Sequence, residues 1–303
     1  AYTMNRTSFF HVCADGADAK NFIVCELDFR AAFNMVGTCA AVVPDVKVVA
    51  FSIEDSHPHF LLSGTRDGCV RFKDAYVQLY RRHLLASRGS HDGVTFDFQI
   101  IEIDGEEHLV RVGTYIVNQP TKDGKGVMTF DYLWSSGPLY FRSSDVIPVW
   151  YVRDGKLLPK TRLSDLTVDM RRRICHTKAE IPGEWSVCDG LLLPQNYVDV
   201  ALFEKIYKTH NCYRTFLSSG RSKDEQVVMA IAEARGVTME DLEIRKPCGD
   251  LAKSLFGFRD VRRLNAEQRL RLALELRKRY RLSRRQIAAL VRLPLPEVER
   301  YIR

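Results

Sequence analysis

Two imidazoles stand two residues apart at His57-Pro58-His59. In an extended strand, residues i and i+2 face the same side, so both rings can meet a single divalent cation. Tyr115 and Gln119 are four apart, which on a helix places them on one face, one turn above the other. There a glutamine oxygen can complete the coordination of a hard cation that also accepts imidazole, with the phenol one turn away as a nucleophile. Each pattern has a plainer reading. A lone histidine pair is more often structural, and by spacing alone the second pair is a core tyrosine beside a helix-ending glutamine. Another set, Cys175, His176, Cys188, His210 and Cys212, holds enough donors for a structural zinc, but its spacings match no common finger and no CxxC occurs among the eight cysteines. Cysteines scattered in this way read as buried thiols in a reducing compartment.

The elements that must position these residues are predicted from periodicity. Ser8 to Cys13 reads as a strand, Glu26 to Val43 as a helix, and Val46 to Ile53 with His59 to Ser63 as two strands around Glu54-Asp55-Ser56. Phe72 to Ala86 is amphipathic, Val94 to Ile103 is a β run, and a helix from Glu106 to about Asn118 is stopped by Pro120. The order β-α-β-β-α-β-α predicts an α+β, ferredoxin-like antiparallel sheet with helices on one face, carrying one extra helix at its end. We divide the chain into a first domain over residues 1–145, a connecting subdomain over 146–222 whose prolines break periodicity, and a mostly helical domain over 223–303. In that last part Asn265 with Gln268 and Ser283 with Gln286 form two capping boxes. The second opens a helix to Val291, and after the break at Leu293-Pro294-Leu295-Pro296 another runs from Glu297 to Arg303, the layout of a helix-turn-helix.

With 303 residues, 46% hydrophobic and 27% charged, the composition is ordinary for a globular protein, which excludes wholesale disorder and coiled-coil readings. No apolar run approaches the ~18 residues of a membrane helix, so a soluble, cytoplasmic protein is expected. The net charge of +7 is unevenly placed: residues 259–303 hold 14 basic against 5 acidic side chains, while the remainder is net −2. A cationic module attached to a near-neutral body is how a polyanion-binding segment looks.

Three linked segments carry a resemblance: VVAFSIEDSHPHFLLSGT, TYIVNQP and FDYLWSS. In this order and spacing they resemble the single-tyrosine transposases of the His-hydrophobic-His class, and more closely the REP-associated tyrosine transposases, over residues 8 to about 143. The resemblance implies that His57 and His59 are the metal-binding pair, Gln119 the third ligand and Tyr115 the nucleophile, with Mg²⁺ or Mn²⁺ as cofactor. Trp134, Ser135 and Ser136 fall on the family's Trp-Ser-Ser element, which we give no catalytic role. Two positions depart from the family pattern. Pro58 stands where a bulky hydrophobe is usual and removes a backbone donor from a strand that should be paired, which bears on where the two rings point; Leu133 stands where proline is common.

The resemblance further implies an endonuclease and transposase activity on single-stranded or hairpin DNA, in a bacterial, nucleoid-associated setting. The 5′-phosphotyrosine intermediate of such an enzyme would let cutting and rejoining run without ATP. Arg81, Arg82 and His83 are candidate contacts to the single strand, a solvated helix face being the plainer reading, and Arg284, Arg285, Arg292 and Arg300 are candidate contacts to hairpin or duplex phosphates. The competing reading, from another class, is a catalytically silent DNA-binding regulator that uses the C-terminal helices. A plasmid-type nicking initiator would commonly add acidic ligands or a helicase domain, and no GxxxxGK[ST] occurs.

Overall fold

The computed structural model describes residues 8–14, 21–94, 96–122, 128–143, 145–219, 239–279, 282 and 284–301. The chain divides into two compact units, Ala1–Val227 and Val228–Arg303. The first is a mixed α+β unit whose elements run β1 (Ser8–Ala14), α1 (Glu26–Val42), β2 (Lys47–Ile53), β3 (Pro58–Gly64), α2 (Arg66–Arg88), β4 (Phe98–Ile103) and α3 (Glu106–Val117). Its four strands form an antiparallel sheet in the order β2-β3-β1-β4. Non-sequential neighbours in the sheet require the two crossovers that α1 and α2 supply.

Side chains alternate across each strand, so register decides which face each residue serves. Val12 is opposite Phe60, whose ring meets Phe72 and Tyr76 of α2 at 5.6 and 4.9 Å. Cys13 is opposite His59, whose ring meets Tyr115 of α3 at 5.5 Å. Thus α1 and α2 cover one face, and α3, the extra helix at the end of the expected order, crosses the other. The reason lies in β2 and β3: Val48–Ile53 and Pro58–Ser63 are buried without alternation, so both faces need a cover.

Beyond α3 the unit continues through α4 (Gln119–Lys122) and α5 (Val168–Cys175) to α6 (Val200–Tyr207) and α7 (His210–Ser219). α3 packs closely against α6 at Gly113, where a Cβ would lie 2.8 Å from the Tyr207 hydroxyl, and at Thr114, whose Oγ1 is 2.9 Å from the same oxygen. The segment expected to be a separate connecting subdomain therefore lies within the first unit. Arg30 reaches Asp189, Asn34 bonds Gly190 and Leu192, and Thr38 bonds the Cys175 carbonyl, all from α1.

The second unit is helical. Helices span Met239–Phe256, Ala266–Arg279, Arg284–Val291 and Leu295–Tyr301 around a core of Leu251, Ala252, Leu272, Leu276, Ile287, Val291 and Val298. The Asn265–Gln268 capping box is reciprocal, with Gln268 N–H donating to Asn265 Oδ1 at 2.9 Å and Asn265 N–H to Gln268 Oε1 at 3.0 Å. Leu272 and Leu276 are buried while Leu274 is 40% exposed, the periodicity of a helix with one face in the core. Ser283, of the second expected box, lies outside the described residues. The last helix begins at Leu295 rather than Glu297, because Pro296 occupies the first turn, where its missing N–H is not needed.

Candidate functional site

The site forms where β1, β3 and α3 meet. His57 and His59 hold their ring centroids 4.4 Å apart at 66°, and the Tyr115 ring stands edge-on to His59 at 5.5 Å and to His11 at 6.0 Å. His59 is buried at 1% exposure, while His57 and Tyr115 are half-buried. Residues far apart in the chain are thus brought into ring contact through strand register and the packing of α3.

Two hydrogen bonds orient the imidazoles. Ser56 Oγ is 2.7 Å from His57 Nδ1, and His11 Nε2 is 3.2 Å from His59 Nδ1. In both rings of the His57–His59 pair it is Nδ1 that is engaged, the arrangement in which an outer partner fixes the tautomer and Nε2 serves as ligand atom. Burial holds the His11 imidazole far below its ordinary range, at about 3, with repulsion from His57 and His108 adding to the effect. A ring held neutral keeps a lone pair for either a proton or a metal.

Pro58 does not force the rings apart. It opens β3 opposite Ile53, and Ile53 turns both backbone groups outward: its N–H donates to the Trp134 carbonyl at 2.9 Å and its carbonyl accepts the Tyr132 hydroxyl at 2.7 Å. On the other flank the pairing with β1 ends at His59. A proline at this position therefore removes no donor that the ladder uses.

The same contacts give the Trp-Ser-Ser element a role. β2 is an edge strand, and Trp134, Ser135 and Ser136 cover its outer side. Phe51 N–H donates to Ser136 Oγ at 2.8 Å, Ser136 N–H donates to the Phe51 carbonyl at 3.0 Å, and Trp134 stacks on Phe29 at 5.2 Å. An otherwise open sheet edge is closed from within the chain.

Gln119 departs from expectation in its element. α3 ends at Val117, Asn118 forms a turn, and Gln119 opens the one-turn α4, so Tyr115 and Gln119 do not share one continuous helical face. Pro120 explains the break, since its ring cannot follow an α-helical interior. Gln119 is 7% exposed, and among the described residues its Nε2 has no hydrogen-bond partner.

Among the described residues, the group of His, Cys, Asp or Glu side chains close enough to share an ion is His11, Cys13 and His59, whose ligand atoms lie within 4.8 Å of one another. Sequence reasoning missed His11 and Cys13. Their signal was an HxC at strand spacing in β1, repeating the i, i+2 spacing of His57 and His59. The Cys175, His176, Cys188, His210, Cys212 set is not gathered in this way: Cys175 and Cys188 are buried, Cys175 in a small core with Leu163 and Leu192, while His210 and Cys212 lie on α7. None of the eight cysteines is in a disulfide.

The expected DNA contacts separate into exposed and engaged groups. Arg82 is exposed on α2, and the guanidinium of neighbouring Arg81 lies 4.7 Å from the Phe96 ring centre. His83 instead turns inward to Asp28 at 2.8 Å. Arg284, Arg292 and Arg300 are exposed, and the side chain of Arg285 lies outside the described residues. Two other cations of the basic tail are structural: Arg269 donates to the carbonyls of Leu264, Arg262 and Arg292, and Arg277 to that of Leu282. Among the described residues, no helix is long and apolar enough to cross a membrane. Comparison with protein-family models, curated proteins and solved structures finds no match to this chain.

Proposed function

We propose that this chain is a metal-dependent single-strand DNA endonuclease and transposase that cuts and rejoins DNA through a phosphotyrosine on Tyr115. The observation that carries this reading is the edge-on contact of the half-buried Tyr115 with the buried His59, next to His57. The strand order β2-β3-β1-β4 with two crossover helices supports a ferredoxin-like assignment, with the histidine motif opening an inner strand. The helices Arg284–Val291 and Leu295–Tyr301, joined by three residues, support a helix-turn-helix reading.

Two imidazole nitrogens and a carboxamide oxygen are donor types that a divalent cation of the Mn²⁺ kind accepts. Gln119 presents a buried carboxamide end whose nitrogen has no hydrogen-bond partner among the described residues, and a half-turn about its last bond exchanges nitrogen for oxygen. His57, His59 and Gln119 would hold Mg²⁺ or Mn²⁺, whose chemistry there is to polarise a phosphate oxygen and offset transition-state charge. Tyr115 supplies the nucleophile. Its oxygen forms a bond to phosphorus as the bond to the 3′-oxygen breaks, the phenolic proton is lost, and the 3′-oxygen takes up a proton. Attack by a 3′-hydroxyl from another end reverses the step and releases Tyr115, with no net change in the number of phosphodiester bonds.

Incubation of the full chain with Mn²⁺ and a labelled hairpin oligonucleotide tests this. A denaturant-stable adduct is expected, and Tyr115→Phe abolishes it. The alternative, a DNA-binding regulator with a silent first unit, is favoured by the confinement of the positive excess to residues 259–303. It predicts salt-sensitive hairpin binding with no adduct.

A further inference from the structure

We propose that His11, Cys13 and His59 form an inner metal site selective for thiophilic divalent cations of the zinc class. The site is built by two neighbouring antiparallel strands. Cys13 stands opposite His59, and His11 precedes Cys13 by two residues, so all three side chains share the α3 face of the sheet. Their ligand atoms lie within 4.8 Å of one another, and each residue is at most 1% exposed.

The spacing of the nitrogens fits the ion. Two imidazole nitrogens each about 2.05 Å from one tetrahedral zinc stand about 3.35 Å apart. His11 Nε2 and His59 Nδ1 are 3.2 Å apart. A small separation of the rings accommodates the cation, and a sulfur at about 2.3 Å closes the third position. Three protein ligands leave a fourth position for water, the pattern of reactive rather than closed zinc sites.

A thiolate ligand discriminates strongly. Mg²⁺ and Mn²⁺ prefer oxygen donors, whereas Zn²⁺, Co²⁺ and Cd²⁺ accept sulfur with imidazole. Binding releases the Cys13 thiol proton to solvent. It also moves the proton shared between the two rings, because each ligating nitrogen must present its lone pair. His11 then carries its proton on Nδ1 and His59 on Nε2.

With Nε2 protonated, His59 cannot also ligate the catalytic cation, an effect on cleavage that rests on the proposed function. Zinc at the inner site therefore withholds one of the three outer ligands and suppresses Mn²⁺-dependent cleavage.

The site itself is tested without DNA. The metal-free full chain is titrated with Co²⁺, and thiolate-to-cobalt charge-transfer absorption is followed. One equivalent is expected to give the band and Zn²⁺ to bleach it. Cys13→Ser and His11→Gln, each checked for folding by near-ultraviolet circular dichroism, should weaken Co²⁺ binding by more than about 100-fold, the loss that even outer-shell partners can cause. Gln119→Ala and His57→Ala should leave the band unchanged. No band in the parent protein, or a band that survives Cys13→Ser, overturns the site. If Cys13→Ser fails to fold, the bonding of ¹¹³Cd to one sulfur and two nitrogens in the parent protein, read by its chemical shift, decides instead. Because no oligonucleotide is present, failure of the adduct experiment leaves this result standing. A protein that binds Co²⁺ and forms an adduct undiminished by Zn²⁺ refutes the suppression alone.

Discussion

Acid should destabilise the first unit, and His11 gives the effect a size. The ring stays neutral in the folded chain down to pH about 3, because burial disfavours its charged form and His57 and His108 repel it. Unfolded, it takes a proton near the ordinary histidine value of about 6.5. Between these limits the unfolded state binds one proton more than the folded state, so stability falls as pH drops. The slope is about 1.4 kcal/mol per pH unit, which amounts to about 2 kcal/mol at pH 5 relative to pH 7. Above the unfolded value His11 contributes no pH dependence. His176 acts in the same sense, held at about 4 by burial with repulsion from His83 and Arg82, so it must be present in both proteins compared.

The perturbation is His11→Gln, which removes the titration and keeps a side-chain amide facing His59. The assay is urea unfolding in the presence of chelator, followed by tryptophan fluorescence. Trp134, Trp150 and Trp185 all lie in the first unit, so the signal reports that unit alone. The parent protein should lose about 2 kcal/mol more than the variant between pH 7 and pH 5. Parallel losses in the two proteins would refute the assignment of His11 as a buried neutral ring.

Further outcomes are expected at the closed edge of β2 and at two other sites. Ser136→Ala leaves the buried Phe51 N–H without its side-chain acceptor and should cost about 1–3 kcal/mol in urea unfolding, while Gly137→Ala should be worse, since its Cβ would fall 2.4 Å from the Thr129 carbonyl oxygen. Asp28 accepts from His83, Arg88 and the Val24 N–H at 1% exposure, so Asp28→Asn should cost about 3–5 kcal/mol by the same measurement, leaving the Arg88 charge uncompensated. Arg292 adopts a left-handed φ of 55° between the last two helices, and Arg292→Gly should raise the melting temperature of the second unit by relieving about 1 kcal/mol of strain; an unchanged or lower melting temperature counts against that.

Much of the fold is readable from periodicity because β1, β2, β3 and α2 each carry a strong local pattern. What periodicity cannot show is which face a later helix covers. α3 follows the edge strand β4, and only the unbroken burial of β2 and β3 indicates that a second layer is required. The site divides in the same way. His57 and His59 are legible because their relation is local, whereas His11 and Cys13 join them through antiparallel register, which no spacing within one segment encodes. Counting residues places Gln119 on the Tyr115 helix, and Pro120 breaks that count. Pro58 suggests displaced rings because the sequence hides the outward turn of the Ile53 backbone toward Trp134 and Tyr132.

One phenolic oxygen among twelve tyrosines is assigned the covalent chemistry. Mass spectrometry of the tryptic peptides, after reaction with Mn²⁺ and a hairpin oligonucleotide followed by nuclease trimming, addresses that assignment directly. The expected product is a nucleotide-bearing peptide spanning residues 112–122, with the phosphodiester on Tyr115. A modification on any other residue, or unmodified peptide throughout with the hairpin still bound, would contradict it.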